Sequence, residues 1–256
     1  MRILYIIFKK ELNSYRNSPV AYVMGTMFLL VSGFFFYIIF ARYSVQSMQS
    51  MSQRYGGSVL SPSDMIFRPL YANIAVLSIF VIPLLTMRLF AEEKRSGTME
   101  LLFTHPVKDY QVVLGKFLAS YAVYLMALLI TLLYPLLVWF CGPVEWGAIG
   151  GAYLAMVLLG LAFISFGVFA SALTEHQMVA AVLSIACFLM FWVLGAAADS
   201  LKGVFSKILE QLSLFRHLDN LTKGLLDFHD VLYFLMFAGF CFYLTLQVLG
   251  SKKWRG

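Results

Sequence analysis

Long apolar runs separated by shorter polar segments dominate the chain. A membrane-spanning helix needs about 20 apolar residues to cross about 30 Å of hydrocarbon. Six runs are long enough, and each predicts one span: 20–40, 70–87, 112–140, 148–173, 178–198 and 231–249. Only the third run contains a charged residue, Lys116. Because Lys116 is near the start of its run, we expect its long side chain to carry the ammonium group to the membrane surface.

The polar segments between these runs differ in periodicity. Residues 1–18 predict an interfacial helix, because apolar and polar residues fall on opposite faces of a helix. The apolar face holds Leu4, Phe8, Leu12 and Tyr15, and the polar face holds Arg2, Lys9, Asn13 and Arg16. Glu11 breaks the pattern. Residues 41–69 show no period and are predicted to be a loop that contains one helix at most.

The segment 199–230 has apolar residues at spacings of three and four, which is typical of amphipathic helices. These residues are Leu201, Val204, Phe205, Ile208, Leu212, Phe215 and Leu218. The segment is too charged to span a bilayer. We therefore expect amphipathic extracytoplasmic helices between spans five and six, lying on the outer leaflet or capping the bundle.

Composition excludes a soluble protein, since 61% of the residues are hydrophobic and 12% are charged, against about 45–50% and about 25% in soluble domains. Residues 1–256 are predicted to form one all-α membrane domain. The net charge of +6 comes from basic residues beside the apolar runs. That placement is typical of an anionic cytoplasmic leaflet and does not favour nucleic acid as a partner. Most Lys and Arg residues lie inside if both termini are cytoplasmic, which predicts that orientation.

A charged segment between spans two and three carries the main candidate site. Gly97 is expected to interrupt a helix there, and Thr98 is suited to cap a new one. Met99, Leu102 and Phe103 would give the new helix an apolar face. The periodicity fits a cytoplasmic helix that docks into a groove of a partner. It fits an ordinary charged loop that anchors two spans equally well.

The same segment resembles permeases of the ABC type-2 exporter family. Their common pattern is close to E-E-x-x-x-G-T-x-E-L-L-x-x-x-P-V followed by L-G-K, and residues 92–107 and 114–116 match it almost residue for residue. The opening residues 10–12 and 18–22 also resemble the family. His217, Asp230 and Tyr233, with the run 224–227, resemble the branch that includes gliding-motility permeases. Permeases linked to nitrous-oxide reductase maturation share the central pattern.

The resemblance implies a division of labour between subunits. Two permease chains, identical or different, would form a dimer, and each would bind a cytosolic ATPase that holds ATP and Mg. Glu92, Glu93, Gly97, Thr98 and Glu100 would belong to the segment that transmits ATPase movement. The turn with Glu175 and His176 would be the second contact. This chain itself has no G-x-x-x-x-G-K-[ST] phosphate-binding loop, and we expect it to bind no cofactor or metal and to have no enzymatic activity.

These observations predict the permease subunit of an ATP-driven exporter in the bacterial cytoplasmic membrane, in contact with lipids. Two alternatives stay open at this point. ATP-driven motion could act on an extracytoplasmic auxiliary protein in the envelope without moving a substrate, or the chain could be a stand-alone secondary carrier. The spans lack the buried acidic residues and arginines that usually mark ion-coupled carriers, which disfavours the second alternative.

Overall fold

In a computed structural model of the chain, residues 2–52, 63–98, 108–141, 144–200, 209, 211, 213–222 and 227–253 are described. The regular elements in these ranges are all helical, which confirms the predicted all-α fold. They are α1 (Arg2–Asn17), α2 (Pro19–Ser52), a π-helical turn (Ser63–Phe67), α3 (Arg68–Thr86), α4 (Arg88–Arg95), α5 (Asp109–Ile130), α6 (Leu133–Cys141), α7 (Trp146–Leu173), α8 (Gln177–Ser200), α9 (Leu214–Thr222) and α10 (Phe228–Lys253).

Among the described residues, six helical segments are long and apolar enough to cross a membrane, which confirms the predicted number of spans. They are Pro19–Gln49, Asp64–Arg95, Asp109–Phe140, Trp146–Leu173, Gln177–Ala198 and Phe228–Ser251. The second and third are each built from two helices, α3 with α4 and α5 with α6. The chain is therefore a multi-pass membrane protein.

Helix α7 forms the centre of the bundle and packs against α3, α4, α5, α8, α9 and α10. Its small residues allow this close packing, which drives helix association in membranes. A Cβ atom on Gly160 would lie 2.1 Å from Cε1 of Tyr124, so only glycine lets α5 approach here. The Tyr124 hydroxyl then donates to the carbonyl of Met156 at 3.1 Å, and that of Tyr121 to Val157 at 3.1 Å.

The structure adds detail to two predicted segments. Helix α2 continues to Ser52, so residues 41–52 are helical, where the sequence predicts a loop that contains one helix at most. The third predicted span is interrupted between α5 and α6 at Thr131, whose hydroxyl donates to the carbonyl of Leu128 at 2.6 Å. A side chain that bonds its own backbone in this way competes with the regular helical pattern.

Of the two predicted positions for the segment between spans five and six, the outer leaflet or a cap on the bundle, α9 fits the second better, because it packs against the spans. Phe215, at the start of α9, packs its ring 6.2 Å from the ring of Phe163, which lies in the middle of α7. The Ser213 hydroxyl donates to the carbonyl of Phe191 at 3.4 Å. Leu218 is buried, whereas residues 201–208, 210 and 212 lie outside the described residues. Helix α9 is thus inserted between α7, α8 and α10.

Two ends of the bundle can now be distinguished. Helices α1 and α4 and the turn between α7 and α8 lie together at one end, which we call the α4 end. Helix α9 and the first turns of α3 and α10 lie towards the other, which we call the α9 end.

Candidate coupling surface

Helix α4 continues span two beyond a break at Met87, and Ser171 of α7 bridges that break. Four residues before the break, Pro83 lies inside α3, and the first N–H groups of α4 lack helical partners. The Ser171 hydroxyl accepts from the N–H of Phe90 at 3.0 Å and of Ala91 at 3.1 Å. It donates to the carbonyl of Met87 at 2.9 Å. One hydroxyl thereby uses its donor and both acceptor positions to hold α4 in line with α3.

Gly167 makes the same contact possible one helical turn earlier. A Cβ atom on Gly167 would lie 2.1 Å from Oγ1 of Thr86, the last residue of α3. Gly167 and Ser171 are four residues apart, so they share one face of α7. The break between α3 and α4 packs against this face of α7 at van der Waals distance. Helix α4 is therefore held close to the central span.

The far end of α4 is fixed to the end of α7. The Lys94 ammonium group donates to the carbonyl of Ala172, one residue before α7 ends at Leu173. The turn that follows begins with Thr174, whose hydroxyl accepts from the N–H of His176 at 3.1 Å. The structure therefore brings together α4 and the second predicted contact, the turn with Glu175 and His176.

The individual predicted site residues are placed as follows. Glu92, Gly97, Thr98, Glu175 and His176 are exposed at the α4 end. Glu93 is not on this surface, since its side chain is only 17% exposed. Met99, Glu100, Leu102 and Phe103 lie outside the described residues.

Gly97 ends α4, as the sequence predicts. Its φ of 68° lies in the left-handed region, which favours glycine just after a helix. The N–H of Ser96 bonds to the carbonyl of Glu92 at 3.0 Å, and that of Gly97 to Lys94 at 3.2 Å. The Thr98 hydroxyl donates back to the carbonyl of Glu93 at 3.4 Å, so it also contacts the end of α4.

A buried ionic cluster lies beneath this surface, and it corrects the expectation for Lys116. That side chain is 2% exposed and is buried among the helices, where the sequence predicts that it extends to the membrane surface. Its Nζ atom lies 2.8 Å from Oε1 of Glu11 on α1 and 2.8 Å from Oε1 of Glu93 on α4. It also lies 5.3 Å from the ring centroid of Phe90. We call Lys116, Glu11 and Glu93 the ionic junction, because they join α5, α1 and α4.

The junction was not predicted, although the sequence carries two signals of it. Glu11 breaks the amphipathic pattern of α1, and Lys116 is the one charge within a predicted span. A charge inside a membrane segment usually faces the protein interior and pairs there. A glutamate on the apolar side of α1 and a lysine within a span can neutralise each other, so the two irregularities together indicate an ion pair.

Helix α1 is docked against the spans by further contacts. A Cβ atom on Gly115 would lie 2.7 Å from Cγ2 of Ile7, so glycine in the L-G-K pattern admits α1. The Tyr15 hydroxyl donates to the carbonyl of Leu85 at 2.9 Å, and burial raises the pKa of this phenol, which therefore stays a donor. Arg88 donates to Oγ of Ser18 at 2.7 Å.

A second buried polar cluster lies towards the α9 end. Nδ1 of His217 is 2.5 Å from Oδ1 of Asp230, and its Nε2 is 3.1 Å from the carbonyl of Gln211. The Tyr233 ring stacks on the imidazole with centroids 4.2 Å apart. Nearby, Arg68 pairs with Asp219 at 2.9 Å and ties α3 to α9. Three residues of the sequence resemblance therefore meet, while 224–226 lie outside the described residues.

The described part of the chain contains no group of three or more His, Cys, Asp or Glu side chains that could hold a metal ion. The candidate site is a surface at one end of the helical bundle, and its contacts fix it to three spans. Together with the six candidate spans, this surface belongs to a multi-pass helical membrane protein.

Comparison with known proteins agrees with this class. Residues 5–249 match the family described as ABC-2 family transporter protein, and the chain belongs to that family. Proteins of this family are the membrane-spanning permease subunits of ABC transporters, and the ATPase is a separate subunit. No curated protein is significantly similar to the chain.

Proposed function

We propose that this permease is a dimeric exporter subunit in the bacterial cytoplasmic membrane, with both termini in the cytoplasm, and that a cytosolic ATPase binds its α4 end. The observation that carries the proposal is the position of the two predicted contacts. The exposed end of α4 and the turn with Glu175 and His176 lie side by side, so one partner surface can reach both.

The contacts of α4 support a role in transmission. A displacement of α4 acts on α3 and α7 through Ser171, and on α1 and α5 through the ionic junction. Packed elements with short hydrogen bonds move together, because interiors deform little. ATP and Mg would bind the partner, and purified permease alone should hydrolyse no ATP.

The residues of the gliding-motility resemblance support a finer assignment to that branch. His217, Asp230 and Tyr233 contact one another at the α9 end, as a set with a shared structural role would. An extracytoplasmic auxiliary protein would bind this end.

Leu102→Asp tests the docking role of the segment after Gly97. Apolar anchors carry most of the affinity of a helix in a groove, and a carboxylate there would have to lose its hydration. We expect ATPase copurification to be lost in Leu102→Asp and retained in the control Leu102→Met, at equal membrane expression. Equal recovery of the ATPase with both variants would contradict the docking role.

The structure also changes the choice of charge variant. Glu93→Lys would place a second ammonium group against buried Lys116 and disturb the fold, so it does not report on docking. Glu92→Lys alters an exposed side chain and is the better probe of partner orientation. We expect it to weaken ATPase binding while leaving the melting temperature unchanged.

A further inference from the structure

An apolar groove of about 360 Å³ runs between α1 and α5 at the α4 end. Tyr5 and Phe8 of α1 form one wall, and Leu118, Ala122 and Leu125 of α5 form the other. Tyr5 is 62% exposed and Leu118 is 37% exposed, so the groove is open to the surroundings of the bundle. Open apolar surface beside an interfacial helix is surface that acyl chains can cover.

Two cations, Lys9 and Arg16, lie on the same helix as one wall of this groove. Lys9 lies four residues after Tyr5, which places the two side by side on the helix surface. Arg16 lies seven residues after Lys9 on the same line of α1. Both side chains are exposed, and neither forms an ion pair with the described residues. Glu11, the acidic residue of α1, faces away towards Lys116.

We propose that the groove binds an acyl chain of an anionic glycerophospholipid whose phosphate contacts Lys9 and Arg16. The apolar walls select a hydrocarbon chain, and the two cations select negative charge over a zwitterionic headgroup. Basic residues at the cytoplasmic surface of a membrane attract anionic lipid headgroups. The biological part of this inference therefore rests on the proposed orientation of the α4 end.

The groove lies along the seam, which is the line of contact between α1 and α5. Gly115 and the ionic junction already hold the two helices together at this seam. A lipid chain in the groove contacts both walls at once and stabilises the docked position of α1. Binding of the anionic lipid should therefore raise the melting temperature of the chain.

Native mass spectrometry of the purified full chain tests the proposal. Phosphatidylglycerol and phosphatidylcholine with identical palmitoyl and oleoyl chains are titrated separately, and glycerol 3-phosphate is added as a competitor without acyl chains. We expect the first phosphatidylglycerol to bind more tightly than phosphatidylcholine. Lys9→Gln should reduce this preference about fivefold, the factor that corresponds to about 1 kcal/mol per basic residue. Lys108→Gln, another exposed lysine at the same end, should leave it unchanged.

A second pair of variants tests the groove itself. Ala122→Trp fills it, whereas Leu129→Trp lies seven residues later on the same stripe of α5, outside the groove and 62% exposed. Loss of tight phosphatidylglycerol binding in the first variant alone supports the site. Equal binding in both variants, an unchanged preference in Lys9→Gln or displacement by glycerol 3-phosphate would overturn it. ATPase copurification is scored separately, so a failed lipid site and a failed coupling role give different results.

Discussion

The two buried polar clusters of this permease fix parts of the chain that differ in sequence separation. The ionic junction joins residues 105 and 23 positions apart, from three separate helices. The His217–Asp230 pair joins residues 13 positions apart and holds one short helix to the span that follows it. The first cluster therefore fixes the tertiary arrangement of the α4 end, and the second fixes a local insertion.

The clusters also differ in charge. Lys116 faces two carboxylates, although in both clusters one carboxylate oxygen, Oε2 of Glu93 or Oδ2 of Asp230, has no hydrogen-bond partner among the described residues. His217 and Asp230 instead meet one to one, and both imidazole nitrogens have acceptors nearby. Removing the shared cation of the first cluster leaves two like charges close together, whereas removing His217 leaves a single unpaired group. We therefore expect removal of Lys116 to lower the stability of the chain more than removal of His217.

The largest effect is expected for Lys116→Met. This change removes the buried cation that Glu11 and Glu93 share and leaves only the exposed Lys10, 3.9 Å from Oε1 of Glu93. Breaking a buried ion pair costs about 3–5 kcal/mol. Thermal unfolding in detergent should show a large loss of stability, and Lys108→Met should show none. Adding Glu11→Gln and Glu93→Gln to Lys116→Met should restore part of the loss. If Lys116→Met were as stable as wild type, the junction would not contribute to the stability of the chain.

Ser171→Ala should have the next largest effect. It leaves the N–H groups of Phe90 and Ala91 without their acceptor, at about 1–3 kcal/mol for a buried unsatisfied group. Ser165→Ala is the matched control on the same helix, because that hydroxyl bonds only the preceding turn, at Leu161. We expect Ser171→Ala, but not Ser165→Ala, to lower the melting temperature and the ATP-dependent activity of the complex. Equal behaviour of the two variants would contradict the bridging role of Ser171.

His217→Phe should have a smaller and local effect. The phenyl ring retains the stacking on Tyr233, but Asp230 loses its partner, at about 1–2 kcal/mol. Hydrogen exchange should accelerate in α9 and the first turn of α10 and stay unchanged in α1 and α5. His229→Phe, an exposed neighbour with its ring 6.0 Å away, is the control. Faster exchange at the α4 end would show that the two clusters are not independent.

The smallest effect is expected for Lys10→Gln. The Lys10 side chain is 68% exposed and lies 3.9 Å from Oε1 of Glu93, at the edge of the junction. Exposed ion pairs contribute little because water and salt screen them, and we expect a change below about 0.5 kcal/mol. Chemical unfolding would measure it, and a loss close to that of Lys116→Met would mean that Lys10, too, is needed to neutralise the junction.

Features that depend on the local sequence pattern could be predicted, whereas features that depend on contacts between residues far apart in the sequence could not. The six spans and the helix end at Gly97 follow from apolar run length and from the φ that glycine permits. The helical residues 41–52 show no amphipathic period, so the continuation of α2 was not visible. The sequence left two positions open for α9, because its pattern does not show that Asp219 pairs with Arg68, 151 residues away.

The order of residues in the ionic junction has a consequence for biogenesis. Glu11 and Glu93 both precede Lys116, so both carboxylates are synthesised before the lysine leaves the ribosome. An unpaired lysine at the centre of a span opposes membrane insertion by about 2.5–3.5 kcal/mol, and Lys116, near the start of its span, opposes it by less. Here the third span enters the bilayer when its counter-charges are already in place. Deletion of α1 should therefore reduce the insertion efficiency of α5 during synthesis, which a glycosylation-tag assay in microsomes would measure.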